Sequence, residues 1–446
     1  MSSSLGELRR ILGPLTGVAV CVGMAIGAGI LRTPGEVAAA LPSTPWIFGV
    51  WLLGALVAAL DVLILAEMGS SVPRVGGLVA YVHLSFGPRV AFLVGWSMLL
   101  VTWPASLAVV AVATGELIAG GADTLTIAGS TSPLGVTVAV VVVLAVAAVN
   151  VLGLRYGAGF EIALFVAKVL LLGGVCVAAA MAAPSPAASS ARLELPATGD
   201  QLLAAVGGAM TSVIFTYDGY ADAVYLAGET RDPGRALPRA LFTALVVITG
   251  LYLLANATFL HVLGLAGLAQ SKFPALDVAR AAFHDCGGLV LTTIAVVILL
   301  GAVNAYFLTG PRIARVLAEE GLAGAFLGRV PASGAPVGAT IWIAALAVVF
   351  LLTNTFEELL AVTVPLISAT TGLVAAGLLV QRVRAPDRPR PFRTPAAWLV
   401  VTLQLVLSGF LLVSYCGSNP RAVAIDAGAI ALGLVVHALV ARRGNA

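Results

Sequence analysis

Charged side chains are what this chain has least of. Only 10% of its 446 residues are Asp, Glu, Lys or Arg, whereas 60% are hydrophobic and the mean hydropathy is +1.05. Soluble domains carry about 25% charged residues. The composition therefore excludes a soluble protein and indicates a polytopic membrane protein embedded in the lipid bilayer, for which no nucleic-acid partner is expected.

Residues that bind metals or form disulfides are also scarce. The four cysteines, at Cys21, Cys176, Cys286 and Cys416, lack the spacing of metal ligands, and two of them fall inside apolar segments. Neither an HExxH nor a GxSxG motif occurs in the sequence. We therefore expect no metal, no cofactor, no disulfide framework and no enzymatic activity.

Long apolar segments make up most of the chain. About 20 apolar residues span a bilayer, and we predict about twelve spans, at residues 14–41, 45–72, 88–119, 134–152, 159–183, 201–228, 240–263, 287–318, 337–353, 357–383, 396–416 and 423–441. Most arginines then fall on the side of the N-terminus, as the positive-inside rule requires of the cytoplasmic side. The bias toward Ala, Gly and Arg is typical of a GC-rich bacterial genome. We therefore predict a multi-pass protein of the bacterial cytoplasmic membrane with both termini in the cytoplasm.

Glycine and proline interrupt the first of these spans. Residues 23–34 read GMAIGAGILRTP, and glycine costs about 1 kcal/mol relative to alanine in a helix interior, proline about 3 kcal/mol. A break at membrane depth frees backbone groups that are tolerated only where they line a cavity or meet a ligand, and it indicates the binding site of a transporter. The alternative is a helix-packing face, because Gly23 and Gly27 are four residues apart.

The sixth span is interrupted at the corresponding place. Its apolar run reaches Phe215, meets residues 216–220 (TYDGY) and then resumes. Each half of the chain then holds five spans, and an odd number requires the halves to enter the membrane in opposite orientations. We therefore predict an all-α integral membrane protein with a five-plus-five inverted repeat and broken helices 1 and 6. One transmembrane domain, 1–446, comprises a first repeat at 14–183, a second at 201–383 and two additional helices at 396–441.

Several stretches together resemble one known family. They are IGAGILRTPGEVAA in span one, AEMGSSVPRVGGLVAYV after span two, FTYDGY and GETRDPGRALPRA around span six, NAYFLTGPRIARVLAEEGL through span eight and RAPDRPRPFRTP after span ten. In residue type and spacing these resemble the amino acid–polyamine–organocation (APC) superfamily, and most closely the bacterial relatives of the L-type amino-acid transporters. The resemblance implies secondary active transport of amino acids or close amine derivatives by alternating access. Proton-coupled transport is the expectation, and a sodium-independent amino-acid exchanger (antiporter) is the alternative.

The resemblance also implies a substrate site made of backbone groups at the two breaks. Amides of residues 27–29, where a half-helix begins near Ile30, should bind the substrate carboxylate. Carbonyl groups of the second break and of the end of the first half-helix should receive the amino group, and Phe215 should close over the substrate as a gate. The predicted substrate-binding residues are Ala25, Ile26, Gly27, Ala28, Gly29, Ile30, Phe215, Thr216, Tyr217, Asp218 and Gly219.

Some residues of these stretches leave questions open. Asp218 could pair with the substrate amino group, or it could cap the second half-helix. Ala28 replaces a common serine and Tyr220 a frequent tryptophan, so the sequence does not identify the amino acid carried. Asp61 in span two departs from a usually small or apolar position, and the sequence gives it no role. Glu161 is expected at the membrane interface, because it lies near a predicted span end.

Lysine is almost absent, which makes Lys168 in span five informative. The only other lysine is Lys272, and a buried lysine can lose a proton where arginine does not. The resemblance places Lys168 where sodium-coupled relatives hold an ion between spans one and eight. It should either carry a coupled proton or act as a fixed cation that tethers those spans, and sodium dependence is not expected. Asn304 in span eight should face the ion-site region or form an interhelical hydrogen bond.

The expected partners are small molecules. Animal relatives pair with a glycoprotein subunit through a cysteine between spans three and four, and residues 120–133 contain none, so no disulfide-linked heavy subunit is expected. A channel would need a ring of pore-lining residues and usually obligate symmetry. Paired broken helices favour a single occluding site, with an amino acid as substrate and protons as the coupled ion.

Overall fold

The computed structural model describes residues 10–27, 29–41, 43–120, 132–181, 199–319, 323–331, 333–353, 356–418 and 420–444. Helices account for nearly all of these residues. The only β contact within the described ranges is a single parallel bridge between Leu12 and Thr230. The prediction of an all-α protein is confirmed.

Eighteen α-helices follow one another along the described chain. The first nine are α1 (Pro14–Ala25), α2 (Gly29–Ala40), α3 (Thr44–Ser71), α4 (Gly77–Phe86), α5 (Pro88–Ser97), α6 (Trp103–Gly120), α7 (Pro133–Leu152), α8 (Leu154–Ala180) and α9 (Gly199–Tyr217). The remaining nine are α10 (Pro233–Gln270), α11 (Pro274–Phe283), α12 (Gly287–Thr309), α13 (Pro311–Glu319), α14 (Ala325–Gly328), α15 (Val337–Thr353), α16 (Phe356–Arg384), α17 (Ala397–Ser418) and α18 (Pro420–Gly444). A π-helical turn, Met98–Thr102, joins α5 to α6, and a 3₁₀ helix, Asp222–Glu229, follows α9.

The number of apolar helices agrees with the predicted spans. By length and composition, eight helices in the described part of the chain can cross a membrane, and α1 with α2 forms a ninth span that bends by 50°. Four shorter apolar helices are also present in the described residues, and the three longer ones, at Val337–Thr353, Ala397–Val413 and Val423–Ala438, bring the number to twelve; the fourth is Gly77–Phe86. The prediction of about twelve transmembrane helices, the first of them broken, is confirmed.

Local geometry differs from the prediction at two places. Span six does not resume as an α-helix after its break, because residues 222–229 form a 3₁₀ helix. Span three contains the π-helical turn Met98–Thr102, which ends two residues before Pro104. The connection between spans seven and eight contains the short helix α11.

The two halves of span one share a contact with α10 and otherwise pack against different helices. α1 contacts α8, α10 and α12, whereas α2 contacts α9 and α10. The break between α1 and α2 therefore lies at the centre of the bundle, where spans five, six, seven and eight surround it.

Ion pairs join helix ends that were predicted to face the cytoplasm. Glu229, at the end of span six, pairs with Arg312 after α12 at 3.0 Å, and both side chains are buried. Glu67, near the end of α3, pairs with Arg382 at 2.6 Å and with Arg390 at 3.3 Å. These contacts join the end of span six to that of span eight, and the end of span two to that of span ten.

Candidate functional site at the two helix breaks

The first break opens onto empty space. α1 ends at Ala25, Ile26 has extended backbone (φ −77°, ψ 90°), and α2 begins at Gly29; Ala28 lies outside the described residues. The first amides of a helix have no partner within it, so the start of α2 presents free donors. A Cβ added to Gly27 would meet no described heavy atom within 4 Å. Gly27 therefore borders open space and does not form a packing face with a neighbouring helix.

The second break lies directly against the first. α9 ends at Tyr217, and Gly219 has φ +94°, which glycine adopts without strain. A Cβ on Gly219 would lie 2.5 Å from the Cβ of Met24 and 2.9 Å from the backbone nitrogen of Ala25. Only glycine allows this approach. The sequence predicted both breaks, and the structure brings them into van der Waals contact.

One predicted alternative for Asp218 is wrong. The residue that precedes the 3₁₀ helix is Ala221, and no side chain caps that end. Asp218 therefore does not act as an N-cap, because the helix it would cap begins later and with a different geometry. Its side chain is exposed and lines a cavity beside the breaks.

Side chains of the protein already bind several carbonyl groups at the breaks. The hydroxyl of Tyr252, in α10, lies 2.7 Å from the carbonyl oxygen of Ala25 and 2.7 Å from that of Thr216. The Lys168 ammonium donates to the carbonyls of Gly23, at 2.6 Å, and Ile26, at 3.2 Å. A hydroxyl has one hydrogen to donate. Tyr252 can therefore donate a full hydrogen bond to only one of these two carbonyls, and the other can accept a hydrogen bond from another donor.

The outer half of span one is attached to α9. The hydroxyl oxygens of Thr33 and Thr216 lie 2.9 Å apart. Thr216 donates to the carbonyl of Ser212 at 2.8 Å, so Thr33 is the donor in the pair. A Cβ on Gly29 would lie 2.8 Å from the Thr216 hydroxyl oxygen. Gly29 thus permits close packing of α2 on α9, in addition to any contact with substrate.

The aromatic residues of the second break face different surroundings. Tyr217 is buried and packs against Trp51 and Tyr252, with ring centroids 6.1 and 5.0 Å away. Phe215 is 43% exposed, so the predicted gate is not packed into the interior in this conformation. Ile30 is fully buried in the core.

Lys168 lies between spans one and eight. Its side chain is completely buried, and besides its bonds to Gly23 and Ile26 it touches Gly301 of α12. A Cβ on Gly301 would lie 2.7 Å from Cε of Lys168. The space for the lysine is therefore provided by a glycine on the facing helix.

Asn304 forms hydrogen bonds among spans four, five and eight. Its Nδ2 donates to Oε2 of Glu161 at 2.8 Å and to the carbonyl of Gly157 at 3.1 Å, and its Oδ1 accepts from Asn150 at 2.7 Å. Among the described contacts Asn304 has no hydrogen bond to Lys168. The geometry is that of an interhelical hydrogen-bond network.

The expectation that Glu161 is interfacial is wrong. Its side chain is fully buried in α8, and its Oε1 has no hydrogen-bond partner within the described part of the chain. A Cβ on Gly23 would lie 1.9 Å from this oxygen. Glu161 and Lys168 are seven residues apart, so they share a face of the helix. That spacing of two ionisable residues was the sequence signal for a buried pair.

Two other residues near the site have hydrogen-bond partners that the sequence did not indicate. Asp61 accepts a hydrogen bond from the hydroxyl of Tyr220 at 2.9 Å. Both residues depart from the family pattern, and the structure shows that the two departures are in contact. Tyr252, in the apolar span seven, was not identified from the sequence at all.

A bundle of apolar helices whose first and sixth spans break against each other is the architecture of a multi-pass membrane transporter. The sequence profile described as "Amino acid permease" matches residues 12–438. The chain therefore belongs to the amino acid permease family, and the predicted resemblance is confirmed.

Similar proteins cover nearly the same length. The serine/threonine exchanger SteT of Bacillus subtilis is 24% identical over 418 residues, which is 91% of this chain and 91% of that protein. The mouse b(0,+)-type amino acid transporter 1 is 24% identical over 417 residues, 93% of this chain and 84% of that protein. The mouse Asc-type amino acid transporter 1 is 26% identical over 422 residues, 93% of this chain and 78% of that protein.

Proposed function

We propose that this protein is a secondary active transporter that carries amino acids, or close amine derivatives, across the bacterial cytoplasmic membrane by alternating access coupled to protons. The observation that carries the proposal is the direct contact of the two helix breaks at Gly219 beside the open space at Gly27. Free backbone groups at membrane depth need a ligand or a cavity. An amino acid supplies both an acceptor for the amides and a donor for the carbonyls.

The substrate carboxylate binds at the start of α2, where the amides of Gly27 and Gly29 and the positive end of the helix dipole favour an anion. Tyr252 donates its one hydrogen to either the Ala25 or the Thr216 carbonyl. The substrate amino group donates to the other carbonyl. Tyr252 thus positions both breaks for the substrate and restricts the number of carbonyl acceptors that remain for the substrate amino group.

Proton coupling is assigned to the buried Lys168–Glu161 region. Lys168 holds two carbonyls of span one at the inner edge of the break, and hydrogen bonds from a charged donor are stronger than neutral ones. Loss of its proton would weaken the attachment of α1 to α8. Glu161, two turns away, supplies a carboxylate with one unpartnered oxygen, and Asn304 orients its other oxygen.

Exchange without protons is the second candidate. It is favoured by the name of the relative SteT, a serine/threonine exchanger. In that case Lys168 is a fixed cation that tethers α1, and substrate on the opposite side drives the return step.

The membrane arrangement is part of the proposal. Both termini lie in the cytoplasm, and residues 14–183 and 201–383 form inverted repeats followed by two helices at 396–441. The excess of arginine on the side of the N-terminus supports this orientation, because the positive-inside rule places that excess in the cytoplasm. The protein works without a disulfide-linked subunit.

The test is uptake of a panel of labelled amino acids into proteoliposomes, with and without an inward proton gradient and with and without internal amino acid. Lys168→Ala is compared with Lys272→Ala, which replaces the only other lysine. Gradient-driven accumulation that is lost in Lys168→Ala and kept in Lys272→Ala supports proton coupling.

Two other results would change the proposal. Transport that requires internal amino acid and ignores the proton gradient would make the protein an exchanger. If no amino acid moves under any condition in a preparation that is folded and monodisperse, the substrate class itself is wrong.

A further inference from the structure

A cavity of about 80 Å³ opens beside the two breaks. Met24 and Gly219, which touch each other at the breaks, both line it. The cavity therefore adjoins the two breaks at Met24 and Gly219, whereas Gly27 and Gly29 are not among the residues that line it.

Three carboxylates face the cavity without a compensating positive charge. Asp61 comes from α3, and Asp218 and Asp222 come from the break and the 3₁₀ helix of span six. The described residues that line the cavity include no lysine, arginine or histidine. Asp61 is buried, Asp222 is half-buried and Asp218 is exposed to the cavity, and a cation placed among the three carboxylates would be attracted by all of them.

A second and independent observation comes from span three. Thr102 lines the same cavity, its side chain is only 2% exposed, and its hydroxyl has no hydrogen-bond partner among the residues described. It stands at the end of the π-helical turn Met98–Thr102, and such turns occur frequently at functional sites. Buried hydroxyls normally have partners. The unpartnered hydroxyl of Thr102 therefore indicates a polar ligand in the cavity.

Aromatic rings complete the lining. Trp103 lies edge-on to Tyr225 and Tyr306, with ring centroids 5.0 and 6.4 Å away, and all three residues line the cavity. The faces of tryptophan and tyrosine attract cations. Carboxylates and aromatic rings together, with a free hydroxyl, are the chemistry that recognises an ammonium or guanidinium group.

We propose that this cavity binds a second cationic group of the substrate, so that the transported compound is a basic amino acid or an amine with a positively charged end. The inference rests on the proposed function and specifies its substrate class. The α-amino group and carboxylate bind at the breaks, and the terminal ammonium or guanidinium lies among Asp61, Asp218 and Asp222. Asp61 is the specificity-determining residue on span two, and Tyr220 positions it through the 2.9 Å hydrogen bond.

The experiment compares L-arginine with L-citrulline, which has nearly the same shape and no charge on its side chain. Binding is measured on the purified full-length protein by competition with a labelled amino acid, and agmatine is added as an amine without a carboxylate. Arginine should bind about ten- to a hundredfold more tightly than citrulline, the range expected for a charge-assisted contact. Agmatine that competes well would show that the cavity accepts amines in general, and agmatine that fails would restrict the substrate to basic amino acids.

The variants separate specificity from folding. Asp61→Asn should weaken arginine binding about tenfold or more and leave citrulline binding unchanged, and Tyr220→Phe should do the same to a smaller extent. Asp285→Asn, outside the cavity, is the matched control. If Asp61→Asn does not give a monodisperse protein, two measurements still test the cationic subsite: binding by Tyr220→Phe, and the ratio of arginine to citrulline affinity of the native chain.

Some outcomes would overturn the inference. Transport of neutral amino acids with no preference for arginine would refute the cationic subsite and leave the proposed function intact. Sodium-dependent binding that is lost in Asp61→Asn would show that the cavity holds a metal ion and not a substrate group. Failure to bind any amino acid, neutral or basic, would refute the proposed function itself.

Discussion

Replacing Gly27 with alanine is expected to weaken substrate binding without destabilising the protein. An added Cβ meets no described heavy atom within 4 Å, and no left-handed backbone is found at this position. A glycine-to-alanine change at a compatible position stabilises a protein by about 0.4–1 kcal/mol, because the unfolded chain loses conformational freedom. The temperature of unfolding should therefore stay the same or rise slightly.

The same methyl group should obstruct the substrate. It fills the space next to the amides that bind the carboxylate, and overpacking of a fitted site costs about 1–3 kcal/mol. That range corresponds to about five- to 150-fold weaker binding. Gly27→Val, with a larger and branched side chain, should bind more weakly still.

The assay is competition binding and proteoliposome uptake, run beside thermal unfolding of the same preparations. Gly250→Ala is the control, since Gly250 is exposed in the middle of α10 and a Cβ there also meets no atom within 4 Å. Unchanged affinity in Gly27→Ala would refute the assignment of this space to the substrate. A large fall in the unfolding temperature would show that the space beside Gly27 is filled.

Four further variants test the contacts around the breaks. Gly219→Ala should lower the unfolding temperature, because a left-handed backbone costs an alanine about 1–2 kcal/mol and the Cβ would clash with span one; unaltered stability would contradict the contact between the breaks. Tyr252→Phe should lower the free energy of unfolding by about 1–3 kcal/mol, since it removes the hydroxyl that lies within hydrogen-bond distance of two carbonyls. Denaturation measures this loss, and uptake should show a reduced transport rate. Glu161→Gln should abolish the response of uptake to a proton gradient while substrate binding persists, and a wild-type gradient response would exclude Glu161 from coupling. Glu229→Ala should destabilise the protein by about 3–5 kcal/mol, because it leaves Arg312 buried without its partner; thermal unfolding checks this, and a neutral result would show that the pair is not needed.

The breaks were predictable because they are local. Glycine and proline weaken a helix through the backbone of the residues themselves, so residues 23–34 and 216–220 indicated interruptions without knowledge of any neighbour. The same argument could not foresee the 3₁₀ helix at residues 222–229 or the π-helical turn at residues 98–102. The geometry of the 3₁₀ helix depends on how the chain packs after the break in span six, and that of the π-helical turn on how span three packs.

The partners of buried polar residues were not predictable, because the spans are apolar on all sides. A helix that is hydrophobic all round gives no signal of which face meets which neighbour. Glu161 illustrates the consequence: the predicted span began at residue 159, whereas α8 begins at Leu154, so a fully buried carboxylate was expected at the interface. Asp61 and Tyr252 likewise acquired partners only once the fold brought spans two, six and seven together.

The two parts of span one share a contact with α10 but have different side-chain hydrogen bonds around the first break. α1 is held by Lys168 through the carbonyls of Gly23 and Ile26 and by Tyr252 through that of Ala25. α2 is held to α9 through Thr33. The break between them is therefore a hinge, because the hydrogen bonds of its two sides lead to different helices, and a substrate bound there contacts both sides. A ligand can shift a conformational equilibrium only by binding the states differently, and a site that spans the hinge meets this condition because every change of hinge angle alters its geometry.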